Sequence, residues 1–269
     1  MGLIGCVFVA EKRVRSRKPL EDWQLNYVPH GINDKIFKPL DLNDPQLKEV
    51  SEGLFGENKP EFVVFWNNRN VRRKQPGDVI LSYREFCDNL SKEEAEKCAL
   101  LMHTPIIDEN GTDLGEVVKN CCPNYRVVFS TDKLPAERLN CLYNLSDVVL
   151  NIASNEGFGL SGAEALLSGT GIINNVTGGL QDHCGFGYES ADTWDAEGKT
   201  TSTINKYFTA DDYVKIGSLH KASKWKEAKG ITHGEWATPV WPSNRSLQGS
   251  PQTPYIFDDR ADYNDVAAQ

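Results

Sequence analysis

The chain has 269 residues and a formal net charge of −9, with 39% hydrophobic and 25% charged residues. This length supports one large domain or two small ones, and the composition is that of a globular protein rather than a disordered one. The negative charge argues against a nucleic-acid-binding surface spread over the whole molecule. Basic residues nevertheless cluster at 12–18 and 69–74, where a small anion site would fit.

The sequence shows no integral membrane segment, because no run approaches the roughly 20 apolar residues that span a bilayer. Near the N-terminus the apolar run precedes the basic cluster, which is the reverse of a secretory signal. The seven cysteines include no C-x-x-C pair, so they do not match a zinc ribbon or finger. We therefore expect a cytoplasmic protein with reduced, mostly buried thiols and no metal site.

Apolar runs rich in β-branched and aromatic residues alternate with amphipathic runs along the middle of the chain. Nearly continuous apolar strands that alternate with helices are typical of a parallel sheet covered on both faces. The sequence therefore predicts an α/β fold with a Rossmann-like, doubly wound parallel sheet. The predicted strands are 61–66, 98–104, 125–130, 147–153 and 171–176, and the predicted helices are 78–90, 113–121, 135–145 and 161–168.

The two ends of the chain do not share this alternation. Residues 1–60 contain no comparable pattern of strand and helix. Residues 188–269 contain four tryptophans among Pro, Gly and Ser, which predicts loops, a hairpin at 234–250 and a last helix beginning near 262. Because that helical pattern reaches the last residue without a stop signal, we expect the sequence to be cut there.

Residues 154–175, "SNEGFGLSGAEALLSGTGIINN", contain two overlapping motifs. Gly157, Gly159 and Gly162 spell G-x-G-x-x-G, the dinucleotide fingerprint. That fingerprint belongs to the first βαβ unit and requires an acidic residue after the next strand. Here it follows the fourth predicted strand, and the next strand leads into Thr-Gly-Gly instead of an acidic residue. These features argue against an NAD oxidoreductase.

The second motif is a pair of carboxylates, Glu156 and Glu164, on either side of the same glycines. A purely structural interpretation makes Ser161-x-x-Glu164 a capping box at the start of the helix. The pair favours a ligand, because Glu156 lies where open α/β sheets bind ligands and the amides of residues 158–161 form an anion site at a helix N-terminus. Phosphates between two carboxylates, with a sugar at each end, describe a nucleotide-sugar.

Several segments of the chain resemble the retaining glycosyltransferases of GT-B fold. "EGFGLSGAE" at 156–164 is a close match to the E-x7-E motif of their donor-binding domain. "VPHGINDKIFKP" at 28–39 is similar to their interdomain segment, and "FWNNRNVRRKQP" at 65–76 resembles their first strand and its Arg/Lys loop. Residues 142–179 follow their order of helix, strand, motif helix, strand and Gly-Gly turn.

The resemblance implies a role for each matching residue. Glu156 would hold hydroxyls of the transferred sugar, and Glu164 would accept the ribose hydroxyls. Arg69 and Lys74 would bind the diphosphate and neutralise the charge that builds on it, which makes Arg69, Lys74 and Glu156 the catalytic candidates. The remaining donor-binding candidates lie at the glycine loop: Phe158, Gly159, Leu160 and Ser161.

Some neighbouring residues are assigned only structural or solvated roles. Arg72 and Arg73 are interpreted as exposed cations of a basic loop. His30 and His183 are the histidines nearest the expected cleft, and we interpret both as surface or structural residues. The chain has no D-x-D motif, which agrees with the metal-independent chemistry typical of the GT-B fold. No cofactor is therefore expected beyond the nucleotide-diphosphate sugar, which is the donor substrate.

The resemblance also implies a domain organisation and a set of partners. Residues 1–27 would be a remnant of an N-terminal part or linker, and residues 28–269 the donor-binding domain, the C-terminal half of a GT-B fold, with an irregular Trp-rich region. The N-terminal acceptor domain is expected to be missing, and the acceptor would be a glycan, lipid or protein. Two alternatives remain, a non-catalytic nucleotide-sugar binding module and a sugar-nucleotide epimerase of the same fold.

Overall fold

A computed structural model describes residues 30–189, 205–207, 231–248 and 255–269. The strands are β1 (Phe62–Asn67), β2 (Cys98–His103), β3 (Val127–Ser130), β4 (Val148–Asn151), β5 (Gly171–Asn175), β6 (Gly187–Glu189), β7 (Asn205–Tyr207), β8 (Ile231–Thr232), β9 (Ala237–Val240), β10 (Asn244–Leu247) and β11 (Phe257–Arg260). The helices are α1 (Pro45–Phe55), α2 (Pro76–Asp88), α3 (Lys92–Ala95), α4 (Leu114–Cys121), α5 (Ala136–Asn144), α6 (Leu160–Leu167), α7 (Leu180–His183) and α8 (Tyr263–Ala267).

Six strands form one parallel sheet in the order β3-β2-β1-β4-β5-β9. This is the doubly wound order, in which the chain moves outward from β1 in one direction and then returns to continue from β4 in the other. The predicted α/β class with a Rossmann-like sheet is therefore confirmed. The five predicted strands and four predicted helices are all present, with bounds that agree to within two residues.

The central strands are apolar throughout because helices cover both faces of the sheet. Along β1, Val64 and Trp66 pack in one buried cluster with α2, α4 and α8. Val63 and Phe65 alternate with them and pack in a second cluster with α1, α5 and α6. A strand buried on both faces needs apolar residues at every position rather than at every second one, which explains the unbroken run "FVVFW".

The Trp-rich region contributes to the sheet in a way that the sequence did not predict. Residues 237–240 form β9, which pairs in parallel with β5 at the edge of the main sheet. The hairpin predicted at 234–250 is therefore wrong, because β10 pairs with β11 instead and forms an antiparallel ribbon. The last helix is correct, since α8 begins after its N-cap Asp262.

Two further expectations concern the N-terminal part of the chain. The segment before the first strand contains a helix, α1, whose N-cap Asp44 accepts hydrogen bonds from the amides of Gln46 and Leu47. The proposed remnant at 1–27 lies outside the described residues.

Among the described residues, no helix is both long enough and apolar enough to cross a membrane.

Candidate functional site

The loops that follow β1 and β4 meet at the carboxyl end of the sheet. These strands are neighbours, and the strand order reverses between them. In open α/β sheets a crevice opens at this reversal, because the two connections leave the sheet toward opposite sides, and ligands bind there. The predicted site residues of 69–74 and 156–164 follow these two strands. The topology therefore brings both halves of the predicted site to one crevice.

Lys74 and Glu156 form an ion pair across this crevice. Both are largely buried, with side-chain exposures of 10% and 13%. Arg73 adds a second cation, since its NH1 atom lies 3.2 Å from Glu156 Oε2 and 3.0 Å from the carbonyl oxygen of Asn155. Burial lowers the pKa of Lys74, and the bond and charge of Glu156 act in the opposite direction. One carboxylate is thus held between two cations.

The backbone of each loop fixes this cluster in place. The amide of Ser154 donates to the carbonyl oxygen of Arg73 at 2.8 Å, which ties the β4 loop to the β1 loop. The amide of Gly179 donates to the carbonyl oxygen of Glu156 at 2.9 Å, which ties the β4 loop to the β5 loop. Gly178 has φ of +50°, and a Cβ atom there would overlap the carbonyl oxygen of Glu156. Only glycine allows this close approach.

Residue Gln75, directly after Lys74, has an unusual backbone conformation. It lies in the left-handed region with φ of 56° and ψ of 41°, and it is the N-cap of α2. Non-glycine residues in this region are strained and cluster at functional sites. The strained turn directs the chain from the short 3₁₀ turn Arg72–Lys74 into Pro76, the first residue of α2. It therefore helps to hold Lys74 in the buried position.

Helix α6 begins at the glycine loop without a side-chain cap. Its N-cap is Gly159, which has φ of 89° and makes no side-chain cap hydrogen bond. The capping box expected for Ser161 and Glu164 is therefore not formed, because the helix begins one residue earlier, at Leu160. The first amides of a helix have no acceptor within it, and they attract anions. A Cβ atom at Gly159 would approach Leu180 Cδ2 to 2.5 Å, so the loop packs closely on α7.

Glu164 belongs to a buried hydrogen-bond chain instead. The hydroxyl of Tyr143 donates to Glu164 Oε2 at 2.6 Å, and the Nδ2 atom of Asn67 donates to that hydroxyl at 2.8 Å. Burial raises the pKa of Glu164, and the bond from Tyr143 opposes this rise. One carboxylate oxygen is thus fixed by the protein, and the second oxygen can accept hydrogen bonds from a ligand. Asn67 and Tyr143 were not identified from the sequence.

Phe158 lies between two histidine rings. Its ring centroid is 4.8 Å from that of His30 and 5.0 Å from that of His183, with an edge-on arrangement in the second pair. His30 is exposed, and His183 is buried. Phe158 therefore connects the segment before α1 with α7, and its packing fixes the loop on which the amides of 158–161 lie.

Arg69 pairs with a different carboxylate, that of Asp108. Its Nε and NH2 atoms contact Asp108 Oδ2 and Oδ1 at 2.8 and 3.2 Å. The side chain of Arg69 is 62% exposed. Beside it, the buried Asn70 donates to the carbonyl oxygens of Ile106 and Thr112 and accepts from the amide of Thr112. These contacts fix the β1 loop to the loop after β2.

Arg72 and Arg73, which the sequence suggested were equivalent, have different surroundings. Arg73 contacts Glu156, whereas Arg72 extends to the β10–β11 ribbon and contacts Gln248 at 3.0 Å. The ribbon is itself fixed to the crevice, because the amide of Asp259 donates to the carbonyl oxygen of Ser154 at 2.9 Å. The ribbon therefore forms a side wall next to the β4 loop.

The described residues contain no group of three or more His, Cys, Asp or Glu side chains that could hold a metal ion. The charged groups of the crevice are instead cations placed beside a helix N-terminus and two carboxylates. Cations and free amides attract phosphate, and carboxylates accept hydrogen bonds from hydroxyl groups. The arrangement can bind a molecule that contains both phosphates and polyhydroxylated groups.

No protein-family model matches this chain, and no curated protein matches it. Solved structures do match. They include sucrose-phosphate synthase from Thermosynechococcus elongatus, with 23% identity, 57% of this chain and 35% of that chain covered, and a TM-score of 0.43. The C-terminal domain of a group 1 family glycosyltransferase from Francisella tularensis matches with 16% identity, coverages of 74% and 94%, and a TM-score of 0.45.

A glycosyltransferase from Rickettsia africae also matches, with 18% identity, coverages of 63% and 43%, and a TM-score of 0.47. Two of these three structures are named as glycosyltransferases. The chain spans only 35% of the sucrose-phosphate synthase, so the activity of a whole enzyme does not follow from the likeness. The sheet order follows from the chain's own strand pairing.

Proposed function

We propose that this chain binds the nucleotide-sugar donor of a retaining glycosyltransferase. The observation that carries the proposal is the contact of Lys74 and Arg73 with Glu156 at the strand-order reversal, beside the uncapped N-terminus of α6. A diphosphate on the amides of 158–161 would lie between the cations of the β1 loop on one side and the carboxylate of Glu164 on the other. In a nucleotide-sugar the charged diphosphate likewise lies between two groups that carry hydroxyls, the transferred sugar and the ribose.

Each residue has a proposed task in the transfer. The bond between the sugar C1 and the diphosphate oxygen breaks, and the electron pair leaves with the diphosphate. The acceptor hydroxyl oxygen forms the new bond on the same face, and its proton passes to the diphosphate. Lys74 and Arg69 neutralise the leaving diphosphate, which lowers the barrier because preorganised charge is stabilising where charge develops. Glu156 holds sugar hydroxyls, and Glu164 holds the ribose through its free oxygen.

The test is a binding measurement on the whole chain. UDP-glucose, GDP-mannose and ADP-glucose are titrated separately by calorimetry, with NADH as the control for a dinucleotide cofactor. A ligand of the native state also raises the melting temperature by mass action, which gives a second measurement. We expect one of the three nucleotide-sugars to bind and NADH not to bind.

Two matched variants connect the result to the crevice. Lys74→Met keeps the length of the side chain and removes its charge, and it should weaken binding of the nucleotide-sugar at least about tenfold. Lys119→Met removes an exposed cation that also pairs with a glutamate, Glu116, and it should leave binding unchanged. Equal affinities for the two variants, or no binding of any of the three nucleotide-sugars, would refute the proposed function.

A further inference from the structure

His183 is a buried histidine that packs against the start of helix α6. It is 8% exposed and ends helix α7. A Cβ atom at Gly162 would lie 2.8 Å from its Nδ1 atom, and a Cβ atom at Gly159 would lie 3.4 Å from its Cε1 atom. The imidazole is therefore in close contact with the backbone of the first turn of α6, and glycine at 159 and 162 makes room for it.

The ring nitrogens of His183 lack the partners that buried polar groups ordinarily have. Among the residues that the structure describes, neither Nδ1 nor Nε2 has a hydrogen-bond partner. Most buried polar groups are paired, and each exception calls for a physical reason. A histidine used only for packing would leave a buried N–H without an acceptor, where an apolar side chain would pack at no such cost. The position of the ring behind an anion site supplies a reason.

The charged groups around His183 come from three elements. Asp182 precedes it on α7, and Glu156 faces it from the β4 loop. Lys74 and Arg73 of the β1 loop bind Glu156 and offset much of that negative charge. Burial lowers the pKa of His183, and Asp182 and Glu156 oppose this effect only in part. The imidazole of the free protein is therefore mainly neutral near neutral pH.

We propose that His183 is a further donor-binding residue, which becomes protonated when the diphosphate of a nucleotide-sugar binds at the N-terminus of α6. The inference rests on the proposed function, since it concerns the same ligand. The bound diphosphate carries two negative charges, and the imidazolium lies behind the amides that hold them. The positive charge on the ring and the amides of the helix thus attract the same group. Binding takes up one proton from solution.

The expected pH dependence follows from the sign of this coupling. The diphosphate favours the charged imidazolium and so raises the pKa of His183 in the complex above its lowered value in the free protein. Affinity for the nucleotide-sugar therefore increases as the pH falls below the pKa of His183 in the complex. It stops increasing below the pKa of His183 in the free protein. A rise of one unit corresponds to about a tenfold gain in affinity. That full gain is reached only below the pKa of the free protein, so we expect binding to be several-fold tighter at about pH 6 than at about pH 8.5.

The experiment uses the three intact nucleotide-sugars, because a diphosphate esterified at both ends does not titrate in this range. Calorimetry at about pH 6 and pH 8.5, in buffers of different ionisation enthalpy, gives both the affinity and the protons taken up. At about pH 6 the wild-type chain should take up a fraction of a proton on binding, and His183→Asn should lose the uptake and the pH dependence. His30→Asn and His233→Asn should retain both. His30 contacts the ring of Phe158, as His183 does, and His233 is an exposed residue.

The outcomes separate this inference from the proposed function. Binding without proton uptake in the wild-type chain overturns the role of His183 and leaves the donor site standing. The same holds if the pH dependence persists in His183→Asn or disappears in His30→Asn. Absence of binding at both pH values overturns both proposals. If His183→Asn does not fold, His183→Gln replaces it, and the wild-type proton count together with His30→Asn still decides the question.

Discussion

Replacing Glu164 with glutamine separates the ligand-binding role of this residue from its structural role. Oε2 of Glu164 is already engaged by Tyr143, so a bound ribose would reach one free carboxylate oxygen. A hydrogen bond to a charged acceptor contributes about 1.5–3 kcal/mol, which corresponds to about a 10- to 150-fold loss of affinity when the charge is removed. The amide oxygen of glutamine can still accept from Tyr143, so the buried hydrogen-bond chain remains.

Stability should change in the opposite direction from affinity. The folded state raises the pKa of Glu164, chiefly through burial, so its protonated form is favoured by folding. The stability linked to this group is present at low pH and is lost as the pH rises through the raised pKa. Because glutamine stays neutral, Glu164→Gln should be as stable as wild type or more stable at neutral pH. Its advantage should vanish in acid.

Calorimetric titration with the nucleotide-sugar and urea unfolding at neutral and acidic pH measure the two effects on the same protein. Glu116→Gln is the matched control, since this exposed carboxylate on α4 pairs with Lys119. Normal affinity in Glu164→Gln, together with a clear loss of stability, would show that Glu164 serves the fold and not the ligand. The assignment of the ribose to this residue would then be refuted.

Four further substitutions probe the elements around the two carboxylates, Glu156 and Glu164. Lys74→Ala should weaken binding of a nucleoside diphosphate far more than binding of the nucleoside, whereas Arg72→Ala should have little effect; equal losses would mean that the basic loop acts only as a diffuse field. Gly178→Ala should lower the unfolding free energy by about 1–3 kcal/mol, because its positive φ and the carbonyl oxygen of Glu156 leave no room for a Cβ atom, and an unchanged urea midpoint would contradict this. Tyr143→Phe removes a buried hydroxyl that both donates and accepts, and it should cost about 1–3 kcal/mol by the same measurement; wild-type stability would show that the hydroxyl is not needed.

The strands of the main sheet could be predicted well because their apolar composition indicates that they are buried. A strand covered on both faces is apolar at nearly every position, and the runs around Phe65, Leu100 and Leu150 have this character. The helices between them show one apolar face each. Both patterns are local, so the five strands and four helices could be predicted without knowledge of their partners.

The sixth strand of the sheet could not be predicted in this way. Residues 237–240, "ATPV", are short and contain a proline, which is typical of an edge strand or of no strand. Their place in the sheet depends on pairing with β5, more than 60 residues earlier in the chain. The nearby turn residues suggested a hairpin, but β10 pairs with β11 because tertiary contacts with the β4 loop hold the ribbon.

The sequence identified individual candidate site residues, but it did not predict the contacts between them. Lys74 and Glu156 were identified from separate motifs, and only the strand order explains why they meet. Arg73 looked like a solvated cation because a basic run carries no information on which side chain turns inward. Tyr143 looked like one more aromatic residue of an amphipathic helix. Its hydroxyl, which contacts Glu164, has no signature in the helical pattern.

The Lys74–Glu156 ion pair is buried, and this burial points to a role other than stability. Removing two charges from water is costly, and apolar residues of similar size often stabilise a protein as well or better. The pair is therefore poorly explained as a device for stability, although the loops around it are fixed by three sets of backbone hydrogen bonds. A diphosphate that enters beside the pair would meet a lysine already desolvated and already oriented, so little reorganisation would be needed. The energetic cost of the buried pair in the free protein is thus consistent with a site prepared for an anionic ligand.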